Sequence, residues 1–203
     1  MRTERNKDGT WNVWMSRAEY RELSRQARGP IEEIALRLMG DSGLRVAEVL
    51  DVTPSDISRF SDGRHYKLEV SSGKDTTGEY EDGKQRETWL PVDLEARINQ
   101  VVQNDINEIG PTDPIVGYAK RTVQGWVERA ANRAAEETGD DDYRRVSSHD
   151  LRRCWAHYLL VEEGVSPRIV MALGGWSSYN AIEPYLAVPS ESNILDQLGA
   201  VSL

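Results

Sequence analysis

This chain of 203 residues contains one cysteine, no long apolar run and no metal-binding pattern. The single cysteine, Cys154, excludes an internal disulfide and any metal site built from several cysteines. The histidines, His65, His149 and His157, show no metal-ligand spacing either, so no metal is expected. No apolar run reaches the roughly 18 residues of a membrane-spanning helix, and the first ten residues lack a signal peptide's apolar stretch. We therefore expect a cytoplasmic protein with no membrane partner.

The charged residues are unusual in two ways. The formal net charge is -9, which argues against a nucleic-acid ligand, and the cations are twenty arginines against five lysines. Excess carboxylate with arginine in place of lysine is consistent with high intracellular salt, so a halophilic host is one hypothesis. At molar salt the Debye length is only about 3 Å, and the net charge would hardly repel a polyanion. A DNA-binding surface would then have to be local and made of short-range arginine contacts.

Hydrophobic periodicity predicts mainly helices and one short β-region, which is an α+β fold with a small antiparallel sheet. Alternating residues predict strands over residues 65–70 and 87–92, joined by a loop rich in glycine and charge. The helices are expected over residues 10–27, 31–39, 93–107 and 122–137, after N-caps at Ser42 and Ser148, and after Ser166. We expect a single domain over residues 1–203, with a core at about 11–188 and a C-terminal helix or tail at 189–203.

The stretch S-H-D-L-R-R-C-W, residues 148–155, carries the clearest chemical signal. Ser148 suits an N-cap, and Leu151 and Trp155 begin an apolar stripe. His149 and Arg152 lie three residues apart in the first turn, where the helix dipole and unpaired N–H groups favour an anion. Together they make a good receptor for a phosphate. Taken alone, the pair fits a surface histidine and a solvated arginine better.

Several short motifs, in this order, resemble the catalytic domain of the tyrosine recombinases, the phage integrase and Xer-like family. S-G-L-R-V-A-E-V-L, which contains Arg45, resembles the first arginine motif of that family, and S-S-H-D-L-R-R, which contains Arg152, resembles its H-x-L-R motif. G-G-W-S-S followed by Tyr185 resembles L-G-H-S-S followed by tyrosine, since the family accepts His or Trp at the position of Trp176. The resemblance covers essentially the whole chain from Trp11 onward and implies the fold of that catalytic domain.

The resemblance implies a site-specific recombinase that cleaves and rejoins DNA strands through a 3′-phosphotyrosyl intermediate. Tyr185 would attack the scissile phosphate and release a 5′-hydroxyl. The covalent bond stores the energy of the broken one, so neither ATP nor another cofactor is needed. Arg45 and Arg152 would clamp the charge that develops on the phosphate oxygens. Glu48, three residues after Arg45, would orient that guanidinium, although the same spacing is typical of an ordinary surface ion pair.

The remaining implied roles concern protons and phosphate contacts. His149 would act as a general base or as a phosphate donor. Trp176 can offer only its indole N–H, so it would bind phosphate without transferring protons. Lys74 follows Gly73 as the family's hairpin lysine does and would be the general acid to the 5′-oxygen, with Lys84 as the reserve candidate.

The implied partner is double-stranded DNA, bound by a homotetramer, although the free chain could be a monomer. The arginines predicted to contact DNA lie on the helix at 122–137 and around the H-x-L-R motif; they are Arg121, Arg129, Arg133, Arg144, Arg145 and Arg153. Family members usually carry an N-terminal core-binding domain. Here the first arginine motif already comes at Arg45, so that domain is expected to be absent.

Two other functions remain open. The two helices on either side of Gly164 resemble a helix-turn-helix, which would bind DNA without catalysis. That interpretation leaves Arg45, Lys74 and Tyr185 without a purpose. A relaxase similar to type IB topoisomerases uses the same set of residues, but the order of the motifs fits the recombinases better.

Overall fold

Helices form most of the structure and pack with two small antiparallel sheets. The computed structural model describes residues 1–73, 84–104 and 109–185. The strands are β1 Arg2–Arg5, β2 Trp11–Trp14, β3 Ile57–Arg59, β4 Tyr66–Gly73 and β5 Lys84–Leu90. The helices are α1 Arg17–Arg25, α2 Pro30–Gly40, α3 Val46–Val49, α4 Val92–Asn104, α5 Lys120–Thr138, α6 Ser148–His157, α7 Pro167–Gly174 and α8 Tyr179–Ile182. The predicted class, mainly helical with a small antiparallel sheet, is confirmed.

The first predicted helix, at 10–27, is partly wrong because its start is a strand. Strand β2 pairs antiparallel with β1, so that Arg2 faces Trp14 and Arg5 faces Trp11. The alternation of W-N-V-W suits a strand, and the N-terminal residues supply its partner. Helix α1 begins only after Ser16, whose side chain accepts from the backbone of Glu19 while the Glu19 carboxylate accepts from Ser16. This reciprocal capping is what the sequence spacing predicts.

The second sheet has the order β3–β4–β5, and all its pairs are antiparallel. The observed β4 and β5 correspond to the predicted strands at 65–70 and 87–92, shifted so that both extend toward the loop between them. The short strand β3, which the sequence analysis missed, pairs with β4. Predicted features at 105–107, at 189–203 and at Lys74 lie outside the described residues.

Helix α6 runs through the core and packs mainly against α2. All its residues from Asp150 to Ala156 are buried, including two arginines. Its N-cap is Ser147 and not Ser148 as predicted, because Asp150 accepts hydrogen bonds from both the backbone N–H and the hydroxyl of Ser147. Asp150 also accepts from the backbone of Val13, which anchors β2 to the start of α6. The helix is followed by a π-helical turn, Tyr158–Glu162.

Within the part of the chain that the structure describes, no helix has the length and apolar character needed to cross a membrane.

The turn between α2 and α3 carries Arg45 and differs from the prediction. Ser42 does not cap a helix, because the next residue, Gly43, has a positive φ of 71°. A Cβ atom at Gly43 would lie 2.5 Å from the ring of Trp155. Helix α3 therefore starts at Val46, with Arg45 as its N-cap. The glycine lets the chain turn tightly over the indole of α6.

Replacing Gly43 with alanine should lower the free energy of unfolding by roughly 2–5 kcal/mol. The left-handed backbone conformation and the overpacked contact with Trp155 each account for part of this loss of stability. Gly63→Ala is the matched control, because Gly63 has a φ of 68° with nothing within 4 Å of its added Cβ. Urea unfolding of both variants separates the two costs, and equal losses would contradict the role of Trp155.

Candidate active site

Arg152 lies at the centre of the site and is 1% exposed. One terminal nitrogen donates to the carbonyl of Gly43 and the other to the carbonyl of Gly174. Its guanidinium carbon lies 4.3 Å from the centre of the Trp176 ring, within cation–π range. Arg152 thus links three parts of the fold: α6, the turn before α3 and the end of α7.

Glu48 is 2% exposed and accepts hydrogen bonds from two arginines. Its carboxylate accepts from the Arg45 side chain at 2.6 Å and from the Arg45 backbone N–H at 2.7 Å. Arg86 donates to both of its oxygens, at 2.8 and 2.7 Å. Burial alone would raise the pKa of Glu48, but the hydrogen bonds and charges of Arg86 and then Arg45 lower the pKa to about 2. The Arg45–Glu48 pair is therefore an oriented contact between a partly exposed arginine and a buried carboxylate, and not an ordinary surface ion pair.

Sequence reasoning missed Arg86, the residue that pairs with Glu48. Arg86 lies on β5 with Thr88 and Leu90 on the same face, and both of these are buried. Since side chains alternate along a strand, this periodicity was the available signal. The predicted strand began one residue too late, at Glu87, and so left Arg86 in the loop.

The predicted nucleophile, Tyr185, ends a short 3₁₀ turn after α8 and is 6% exposed. Its hydroxyl lies 3.3 Å from Nε2 of His149, within reach of a hydrogen bond. The centres of the Tyr185 and Trp176 rings are 5.3 Å apart, and Trp176 also stacks on Trp155 at 6.0 Å. The predicted residues of the H-x-L-R and G-G-W-S-S motifs are therefore brought together with the tyrosine.

Burial, and then neighbouring positive charge, lowers the pKa values of two groups in the site. His149 is at the exposed edge, yet partial burial of its ring, followed by the charges of Arg153, Arg152 and Arg45, lowers its pKa. The lowered pKa favours the neutral imidazole, whose Nε2 accepts a proton in the tautomer that is protonated at Nδ1. Burial and the neighbouring Arg45 also lower the pKa of Arg152 to about 9, which leaves its guanidinium charged at pH 7.

A cavity of about 250 Å³ opens beside Arg45, His149 and Arg152, and neither Tyr185 nor Trp176 is among its lining residues. Its lining includes two of the predicted catalytic arginines, the predicted histidine and a lysine that was not predicted: Arg45, Val46, Ala47, Glu48, Lys120, Ser148, His149 and Arg152. A larger cavity of about 740 Å³ lies between α1, α2 and the start of α4 and contains none of the predicted site residues. Four of its five arginines are paired with carboxylates, as in the Arg17–Asp41 pair at 2.5 Å. The smaller cavity is therefore the candidate active site.

The two candidate lysines cannot be placed in the site. Lys74 lies outside the described residues. Lys84 begins β5, but its side chain is not among those described. The choice of general acid stays a prediction.

The arginines predicted to contact DNA differ in exposure, and two of the exposed ones, Arg144 and Arg145, also pair with Asp141 and Asp142. Arg121 and Arg129 are exposed on α5, and Arg144 and Arg145 are exposed on the turn before α6. The guanidinium groups of the other two, Arg133 and Arg153, donate to partners inside the protein, and their contact with DNA stays a prediction. Arg133 donates to Glu32 and to the Gln26 carbonyl, and Arg153 donates to Asp150 and Asn12.

Comparisons with known proteins give the same fold. A model described as the phage integrase family matches residues 14–191. The XerA recombinase structure has a TM-score of 0.70 at 16% identity, over 92% of this chain and 64% of that one. The Tn1549 transposon integrase in complex with a circular intermediate DNA has a TM-score of 0.70 at 15% identity. The match covers 94% of this chain and 66% of that one. The catalytic domain of bacteriophage HP1 integrase has a TM-score of 0.61 at 15% identity, and the match covers 94% of this chain and 96% of that domain.

The matched structures differ from this chain in length and in sequence. This chain spans 64% of the XerA recombinase, so it corresponds to part of that protein. Identities of 15–16% show the fold alone. A search of curated proteins finds no match.

Replacing Arg153 with glutamine should raise the pKa of His149. The substitution removes the largest charge that lowers this pKa and leaves the negative charge of Asp150 in place. Glutamine keeps a donor for Asp150 and Asn12. The pKa can be read from the imidazole C2 protons by NMR titration, with Arg25→Gln, at an exposed arginine paired with Glu22, as the control. An unchanged pKa in Arg153→Gln would contradict this account of the site.

Proposed function

We propose, from the premise that this chain belongs to the phage integrase family, that it is a site-specific DNA strand transferase. It cleaves and rejoins duplex DNA through a 3′-phosphotyrosyl intermediate and uses neither metal nor ATP. The observation that carries the proposal is the meeting of a tyrosine hydroxyl with a histidine ring nitrogen, 3.3 Å apart, beside a cavity lined by Arg45 and Arg152. A nucleophile, its base and fixed positive charge are the groups that phosphoryl transfer requires.

In the proposed first step, the Tyr185 oxygen attacks the scissile phosphorus and forms a new P–O bond. His149 accepts the phenolic proton at Nε2. The bond from phosphorus to the 5′-oxygen breaks, and that oxygen takes a proton from the general acid to leave as a 5′-hydroxyl. Attack by the 5′-hydroxyl of another strand reverses these steps and releases Tyr185.

Positive charge stabilises the transition state of this step. Arg45 is 31% exposed and can reach a phosphate that enters the cavity, while Arg152 forms part of the wall. Fixed guanidinium groups are most effective where charge develops on the nonbridging oxygens, because they need no reorganisation. Trp176 covers Arg152 and supplies an indole N–H donor. Lys74 is the proposed general acid, with Lys84 in reserve.

The proposed partner is double-stranded DNA. The structures of the Tn1549 integrase and of the XerH recombinase were determined with DNA, and this chain shares their fold. The exposed arginines Arg121, Arg129, Arg144 and Arg145 would contact phosphates. The functional unit on DNA is a homotetramer, and the protein acts in the cytoplasm. Residues 1–203 form one catalytic domain, and the excess of carboxylates reflects a salt-rich host.

The test is the formation of a covalent protein–DNA adduct, detected on a denaturing gel. The substrates are nicked suicide duplexes taken from the genomic flanks of the gene, incubated in high salt. The wild type should form the adduct, and Tyr185→Phe should not, because it lacks the attacking oxygen. Tyr179→Phe, at an exposed tyrosine of α8, is the matched control and should cleave normally.

Three results would oppose the proposal. An adduct that persists in Tyr185→Phe would exclude this nucleophile. DNA binding without any adduct would favour a non-catalytic binder. Relaxation of supercoiled plasmid without strand exchange would favour a relaxase.

A further inference from the structure

We infer that Arg86 is a positioning residue of this site, which orients Arg45 through the carboxylate of Glu48. The inference rests on the proposed function, because Arg45 is oriented toward the phosphate of that reaction. Arg86 acts through Glu48 and does not touch the reacting atoms itself.

All three nitrogens of the Arg86 guanidinium donate to partners inside the protein. Its two terminal nitrogens donate to the two oxygens of Glu48, at 2.8 and 2.7 Å, and its Nε donates to the Leu173 carbonyl at 2.9 Å. The side chain is only 5% exposed. This fork-to-fork geometry fixes the plane of the carboxylate as well as its position. It also leaves Arg86 no open face for a phosphate.

Glu48 transmits this position to both ends of Arg45. The oxygen that accepts from Arg86 Nη1 also accepts from Arg45 Nη1 at 2.6 Å. The oxygen that accepts from Arg86 Nη2 also accepts from the Arg45 backbone N–H at 2.7 Å. The Glu48 carboxylate therefore fixes both the backbone at the start of α3 and the guanidinium of Arg45.

Charge explains why a third arginine is needed. The nearest nitrogen of Arg152 lies 4.0 Å from Glu48. Without Arg86, the buried carboxylate would be left short of donors and would draw Arg152 and Arg45 toward itself. Both would then move away from a phosphate. With Arg86 in place, Glu48 is saturated and the other two arginines keep donors for the substrate.

Arg86 also fixes the end of α7. The backbone at Gly175 has a φ of 70°, and a Cβ there would lie 2.8 Å from Cδ of Arg86. The next residue is Trp176, which covers Arg152. The arginine thus connects the turn that carries Trp176 to the helix that carries Arg45.

The test measures single-turnover adduct formation and DNA affinity separately, with nicked suicide duplexes and the full chain. Arg86→Met should slow adduct formation by about 10- to 100-fold, a size typical of groups that orient a catalytic ligand. DNA affinity should stay near that of the wild type, since Arg86 has no contact to offer DNA. Arg86→Lys keeps the charge but loses the fork, so it should recover only part of the rate. Arg97→Met removes a comparable arginine from its pair with Glu33, away from the cavity, and should cleave normally.

A double-mutant cycle distinguishes positioning from a general structural role. If Arg86 acts through Glu48, the double variant Arg86→Met/Glu48→Gln should be no slower than Glu48→Gln alone. The double variant also tests the inference if Arg86→Met fails to fold, because it removes the carboxylate charge that loses its partner in that variant.

Two outcomes would overturn the inference. One is a wild-type cleavage rate in folded Arg86→Met, and the other is a cycle in which the two effects multiply independently. If the wild type itself forms no adduct while it binds DNA, the proposed function fails first, and this inference fails with it.

Discussion

The structure depends on a single buried carboxylate surrounded by guanidinium groups. Glu48 is bonded to Arg45 and Arg86, and Arg152 lies 4.0 Å away. Removing such charges from water costs several kcal/mol per ion unless every donor and acceptor is satisfied. Carbonyls of Gly43, Gly174 and Leu173 complete the bonding. The turn before α3, the strand β5 and the end of α7 must therefore meet at one point, and the rest of the fold brings them there.

Local patterns predicted most of the site, and long-range contacts explain what they missed. His149 and Arg152 share one helix turn, and Trp176 and Tyr185 share one short segment, so motif spacing was sufficient. Arg86 pairs with Glu48 across 38 positions of sequence, which no local pattern encodes. The family and the fold class followed from the motifs and the periodicity and are confirmed.

Element boundaries were predicted less well, for related reasons. Ser148 has the right chemistry for an N-cap, but the cap is set by which serine has an acceptor three residues later, and Asp150 selects Ser147. The strand β2 contains two tryptophans that also fit a helix, and only its pairing with β1 makes it a strand. The prediction for Lys74 remains untested, because that residue lies outside the described ranges.

The net charge of -9 says little about this site. Most of the acidic excess lies on the surface, whereas the cavity is lined by two arginines, one histidine and one lysine against one carboxylate. The buried arginines are counted in the total, but their effect is local and short-range. The net charge therefore reflects mainly the exposed residues, whereas the chemistry of the site depends on local contacts.

The anchoring of Arg152 to backbone carbonyls has a consequence for how the sequence can diverge. Every amino acid supplies a carbonyl, so no substitution in these turns can delete the acceptors. The two positions are restricted by space. A Cβ at Gly43 would collide with Trp155, and a Cβ at Gly174 would collide with Trp176. The anchoring of Arg152 therefore constrains the two glycines, but not the identity of the other residues in these turns. Such tolerance is compatible with a fold retained at 15–16% identity.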